Sequence, residues 1–296
     1  MPEITLLSDR RARTGVLLLG VVIFLALGAP LVAGADPIAQ PDVVASRFTP
    51  PLQRDQLGTF HLLGTDRFGR DVWSRLVFGA RVSLATGFLA TALAMLIGLA
   101  VGLGAGVWRG RVGLALVAVT DFALAVPRVV LLLLLAALWE PGAMLVVLVL
   151  GFTGWMSIAR LVYGETTTLM ARPFVMAAQA LGADRRRLAI AHILPNAWTP
   201  VIVAAALGVG NAITLEAGLS FLGLGVQPPT PSWGAMIASG RDTLVNAPWV
   251  AVAPGVALVL VVVGCTLVGD AVRDGVGGEG ERGKGKGQRG KGQGEK

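Results

Sequence analysis

Two histidines, His61 and His192, and one cysteine, Cys265, are all the imidazole and thiol chemistry this sequence carries. The histidines stand about 130 positions apart and neither belongs to an HExxH pair, so the spacing of a zinc hydrolase is missing. A lone cysteine cannot close an intrachain disulfide and offers no CxxC pair for redox or metal chemistry. Ser220 sits in Gly218-Leu-Ser-Phe-Leu222, which lacks the closing glycine of a GxSxG nucleophile turn. The run from Gly280 to Gly287 nearly spells a phosphate loop, but its Lys286 is followed by Gly287 where a magnesium-binding Ser or Thr is required. Catalysis on this chain is therefore not expected, and neither is a bound metal or cofactor. The ionisable residues that stand out are three inside long apolar runs: Asp121, Arg128 and Glu216.

Those runs decide the solvent. Of 296 residues 54% are hydrophobic and 15% charged, and the mean hydropathy is +0.71, which excludes a disordered or ordinary soluble chain. A net charge of +7 could suit nucleic acid, but uncharged stretches long enough to cross a hydrocarbon core of about 30 Å favour the membrane, and no nucleic acid partner is expected. The expected class is an all-α polytopic membrane protein with about six spans: 14–35, 82–108, 112–139, 142–163, one within 188–215 and one within 243–269. Residues 1–13 form a cytoplasmic start, 36–81 an extracytoplasmic loop, 82–274 a five-helix core, and 275–296 a tail. That tail holds ten glycines in 22 residues and reads as disordered, solvated or touching anionic lipid. Seventeen of the 25 Lys and Arg fall on one side of this topology, so both termini are expected in the cytoplasm.

The most informative cytoplasmic segment runs from Arg172 to Arg187 and is followed by Ala191-His-Ile-Leu-Pro-Asn196. Pro173 suits a first helical turn, and Phe174, Ala177, Ala178 and Leu181 recur at i, i+3, i+4 and i+7, one narrow apolar face. Gly182 permits a tight break, and Arg185 to Arg187 hold the next turn at the cytoplasmic side before the chain re-enters the bilayer toward Pro195. A short helix of this kind between two spans is shaped to dock in a groove on another protein. The plainer alternative is a helix lying on lipid.

This segment resembles the cytoplasmic signature of the inner-membrane permease subunits of binding-protein-dependent ATP-binding-cassette importers, E-A-A-x-x-x-G followed by I-x-L-P. Ala177, Ala178, Gly182, Ile193, Leu194 and Pro195 match it, and Met176 replaces the glutamate. The segment Leu63-Gly-Thr-Asp-Arg-Phe-Gly-Arg-Asp-Val-Trp-Ser-Arg75 with Gly79–Leu84, the loop Glu216–Gly234, and Gly269-Asp270 with Arg273-Asp274 are similar to the second permease of the dipeptide, oligopeptide and nickel branch. The resemblance spans roughly residues 60–274. It implies a type I importer permease fold, a coupling helix at 173–187 and alternating access driven elsewhere. The implied partners are a homologous second permease, two ATPase subunits carrying ATP and magnesium, an extracytoplasmic solute-binding protein and membrane lipid. For ATPase coupling it points to Phe174, Ala177, Ala178, Leu181, Gly182, Arg185 and Pro195.

Other residues keep two readings. Asp71 and Arg75 are spaced as an i,i+4 pair on an extracytoplasmic helix, the alternative being direct solute contact, and Asp66, Arg70, Asp71 and Trp233 are candidates to receive a binding protein. Asp121 and Arg128 are seven positions apart and would share a face of one long third span, lining the pathway or satisfied by a partner. Glu216 either reaches water or lines the pathway, and with Ser220 and Phe221 it belongs to a candidate gate at the outer mouth. A secondary transporter is the competing function; it would leave the amphipathic segment at 173–187 unexplained and would need mirrored halves that are not seen here.

Overall fold

The computed structural model describes the backbone of residues 9–108 and 110–289, with the side chains of these except 128, 129, 136 and 275–289. In chain order the elements are α1 (Arg10–Leu27), α2 (Ala29–Val32), α3 (Val43–Ser46), β1 (Gln53–Arg54), β2 (Phe60–His61), α4 (Val72–Val107), α5 (Arg111–Ala125), α6 (Arg128–Leu138), α7 (Ala143–Met170), α8 (Pro173–Ala180), α9 (Arg185–Arg187), a π-helical turn (Leu188–Ile193), α10 (Trp198–Phe221), α11 (Trp233–Arg241) and α12 (Trp249–Arg289). The two strands form a small antiparallel hairpin, Gln53 opposite His61 and Arg54 opposite Phe60. Among the described residues, four helices are long and apolar enough to cross a membrane: α4, α7, α10 and the Trp249–Asp274 part of α12.

α4 packs along α7, α10 lies against α4 and α12, and α1 packs on α12 and α4. Lipid is as apolar as leucine, so close backbone approach rather than hydrophobic burial drives such packing. Gly98, Gly102 and Gly106 recur every four residues along the α4 face that meets α7. A Cβ on Gly98 would stand 2.7 Å from Ile158 Cβ, and one on Gly102 would stand 2.6 Å from the Ala159 carbonyl oxygen. The seam tolerates no side chain at these positions. One apolar cluster joins Ala90 of α4 with Val146, Val149 and Leu150 of α7 and Ala212 of α10. A second joins Val22 and Ala26 of α1 with Ala80, Ile213, Trp233 and Val261.

Several boundaries differ from the expectation. The third span is no single helix: Val126 is extended (φ −76°, ψ 126°) because the residue before a proline is pushed out of the helical region, and α6 restarts after Pro127. The second span begins at Val72 instead of 82, so the outer loop ends ten residues earlier and Asp71 becomes a helix cap. The first helix stops at Leu27, where Gly28 caps it, and only the turn Ala29–Val32 follows. The α12 backbone runs on to Arg289, into the segment expected to be disordered; the side chains from 275 onward and residues 290–296 lie outside the described residues, as does Arg109.

Candidate functional site

Between α7 and α10 the chain turns through α8, α9 and the π-helical turn. Pro173 opens α8, and Gly182, at φ +88°, bends the chain where an L side chain would be strained. Asp184 then caps α9, its carboxylate accepting from the Arg187 backbone N–H at 2.8 Å. Pro195 has no N–H to give the preceding turn, and the π-helical turn ends just before it. The expected single helix over 173–187 is thus two short helices joined by a turn. Val175 is fully buried and packs with Val107, Met170, Leu188 and Ile193, anchoring the segment to the ends of α4 and α7. Phe174, Met176, Ala177 and Leu181 are left exposed, Leu181 by 89%. Ala178 belongs on the other side: it is half-buried against the Val175 cluster, so it leaves the candidate docking face. Arg185 and Pro195 are exposed.

At the opposite end, the residues expected to meet a binding protein are used inside the chain. Asp66 accepts from Arg70 Nε at 2.7 Å, and its side chain is enclosed along with that of Arg70. Asp71 caps α4 by accepting from the Ser74 N–H at 2.7 Å and lies 2.8 Å from His61 Nδ1. Its carboxylate is therefore not paired with Arg75, which donates instead to the Pro37 carbonyl at 2.9 Å. On the other side of His61, Asp55 accepts from Ser46 Oγ at 2.7 Å and lies 3.4 Å from Nε2. Burial alone would push Asp55 up, but the hydrogen bonds from Ser46 and the Thr59 N–H, with the hydrogen bond and charge of His61, hold its carboxyl below the ordinary carboxylate value. Trp249 Nε1 donates to the Thr65 carbonyl at 3.0 Å, tying this small domain to the start of α12.

Glu216, near the C-terminal end of α10, is 0% exposed and reaches neither bulk water nor an open path within the chain. It accepts from Ser83 of α4 at 3.1 Å, from Ser220 at 2.8 Å and from Ser232 at 3.1 Å. Ser83 in turn accepts from the Trp233 N–H at 3.1 Å, and Trp233 Nε1 donates to the Leu76 carbonyl at 3.1 Å. Trp233 is 1% exposed, so it too leaves the docking surface. This knot pins the 222–232 loop and α11 onto α4 and α10. Phe221 alone of the gate residues is exposed, with the Arg241 guanidinium 5.2 Å from its ring centroid.

Asp121 and Arg128 do not share a helix face, because the Val126–Pro127 break separates them. Asp121 pairs with Arg160 of α7, both half-exposed. The Arg128 side chain lies outside the described residues. Residues that the sequence reading did not single out line a cavity of about 200 Å³ between α4, α7 and α10, among them Thr91, Ser157 and Asn211. Their signal in sequence was faint: isolated neutral polar residues in otherwise apolar helices.

The family described as "Binding-protein-dependent transport system inner membrane component" matches residues 94–277. The di/tripeptide transport system permease protein DppC of Pseudomonas aeruginosa is 38% identical over 267 residues, covering 90% of this chain and 87% of that protein. The oligopeptide transport system permease protein OppC of Bacillus subtilis is 34% identical over 267 residues, covering 90% and 85%. The solved inward-facing MetNI methionine ABC transporter aligns at a TM-score of 0.57 and 22% identity, over 68% of this chain and 96% of that one, a likeness of fold.

Proposed function

We propose a transport cycle for this chain, which belongs to the family of binding-protein-dependent transport system inner membrane components and is a multi-pass inner-membrane permease subunit of an ATP-binding-cassette importer. The solute class we propose is short peptides, the class named for relatives that match nearly the whole of their own length. Both termini and the α8–α9 segment lie in the cytoplasm in this reading, where most of the Lys and Arg cluster. A homologous second permease completes the pathway. Two separate ATPase subunits hold ATP and magnesium, so that none binds here, and an extracytoplasmic binding protein delivers the solute.

The observation that carries the coupling reading is the exposed apolar edge Phe174, Met176, Ala177 and Leu181, held on a segment anchored by buried Val175. A surface leucine exposed by 89% between two spans contributes nothing within the chain, while an ATPase cleft would bury it. ATPase closure then pushes on Val175, and through the Val107–Met170–Ile193 cluster on the inner ends of α4, α7 and the π-helical turn leading to α10. Leu181→Asp should abolish copurification of the ATPase subunits while the chain still inserts in the membrane, because a carboxylate would be desolvated in an apolar cleft. Undiminished copurification and uptake would remove the coupling role of this edge.

A further inference from the structure

Three neutral polar side chains stand at mid-depth in three different spans. Thr91 lies near the middle of α4, Ser157 near the middle of α7 and Asn211 near the middle of α10. All three line the same cavity of about 200 Å³, whose walls are otherwise small or aliphatic, with Ala90, Gly154 and Gly208 among them. Thr91 is 6% exposed, and its hydroxyl has no hydrogen-bond partner among the described residues. Thr120, Thr153, Thr214 and Thr266 each satisfy themselves by donating to the carbonyl four residues back. Thr91 does not, although an unmet buried hydroxyl costs free energy. Ser157 and Asn211 are exposed at this depth, and a carboxamide facing hydrocarbon costs several kcal/mol on transfer scales.

We infer that Thr91, Ser157 and Asn211 form a neutral hydrogen-bonding seat for a peptide amide of the solute, midway along the pathway; this rests on the peptide-permease reading above. The Asn211 carboxamide offers a donor and an acceptor, as a peptide bond does, and the two hydroxyls rotate to serve either need. No charged residue is present among the described lining residues, so the seat lacks the carboxylates or imidazoles that a divalent cation requires. Glycine and alanine walls leave room for solute side chains of varied size. Uncharged hydrogen bonds hold the solute weakly enough to release it onward.

The test uses the assembled transporter with its partner subunits and binding protein. In a Cys265→Ala background, Asn211→Cys should react with a small hydrophilic thiol reagent, and saturating dialanine should slow that reaction several-fold. Thr91→Val replaces the hydroxyl by a methyl group of similar size, so assembly should be kept while dialanine uptake falls by about tenfold, the scale of one lost hydrogen bond. An unreactive position 211, as for a residue packed against the second permease or lipid, would overturn the seat. So would labelling indifferent to dialanine, or full uptake by Thr91→Val, while the unaltered complex imports dialanine. Absence of dialanine uptake by the unaltered complex would remove the peptide reading and the seat together, which distinguishes the two failures.

Discussion

Glu216 shows what a single carboxylate does when three hydroxyls surround it. Fully buried, it has value only while Ser83, Ser220 and Ser232 donate to it, and those donors come from two spans and a loop. Glu216→Ala should lower the thermal stability of the purified complex by about 3 kcal/mol, the scale of a broken buried polar network, and Glu216→Gln by less, since an amide oxygen still accepts. Equal melting of all three proteins would show the knot to be inert. Asp55 gives a pH dependence at the same scale. Its folded carboxyl titrates below the ordinary value of 3.8, so the stabilisation is present above that value and is lost as pH falls through the folded one. Tryptophan fluorescence during acid titration should therefore report loosening of the small domain around His61 below about pH 4, through Trp249 on Thr65, and Asp55→Asn should remove that dependence. These pairings were hidden in sequence for a physical reason. The spacing of Asp71 and Arg75 equals that of Asp66 and Arg70, and only the start of α4 at Val72, which turns Asp71 into a cap, decides which pair forms.

The elements were more legible than their contacts. Gly98, Gly102 and Gly106 of α4 line the seam with α7. Gly102→Val should disrupt that seam, because even a Cβ would meet the Ala159 carbonyl at 2.6 Å; loss of folded complex in size-exclusion chromatography is the expected outcome, and a normal elution profile would contradict it. Pro173 and Gly182 marked the start and break of the segment between α7 and α10 in the sequence, and the structure has a helix start and a bend there. The inward turn of Ala178 was not legible, since the helical period does not say which apolar side packs on Leu188 and Ile193, which come later in the chain. Pro127 is the residue that breaks the third span, for its ring forces Val126 out of the helix.

At the scale of the whole molecule, uncharged length gave the polytopic helical class, because few solvents other than a bilayer accept so many apolar helices. Of the about six spans expected, four are matched by described helices long and apolar enough to cross, and the type I permease fold came from the motif resemblance. The cavity did not follow, since Thr91, Ser157 and Asn211 stand more than fifty positions apart in sequence, on three helices, and meet only after packing. What joins the two ends of the molecule is α4, which begins at the Asp71 cap beside His61 and ends at Val107 in the cluster beneath Val175. One continuous helix thus connects the cluster under the α8–α9 segment with the small domain around His61 and the Ser83–Glu216 knot. The most direct test of this account is uptake of a labelled dipeptide into proteoliposomes holding the complete complex with its binding protein, driven either by ATP or by an imposed ion gradient. Accumulation that requires ATP and the ATPase subunits, and that Leu181→Asp abolishes, is the predicted result. Accumulation driven by the gradient without the ATPase subunits would contradict it.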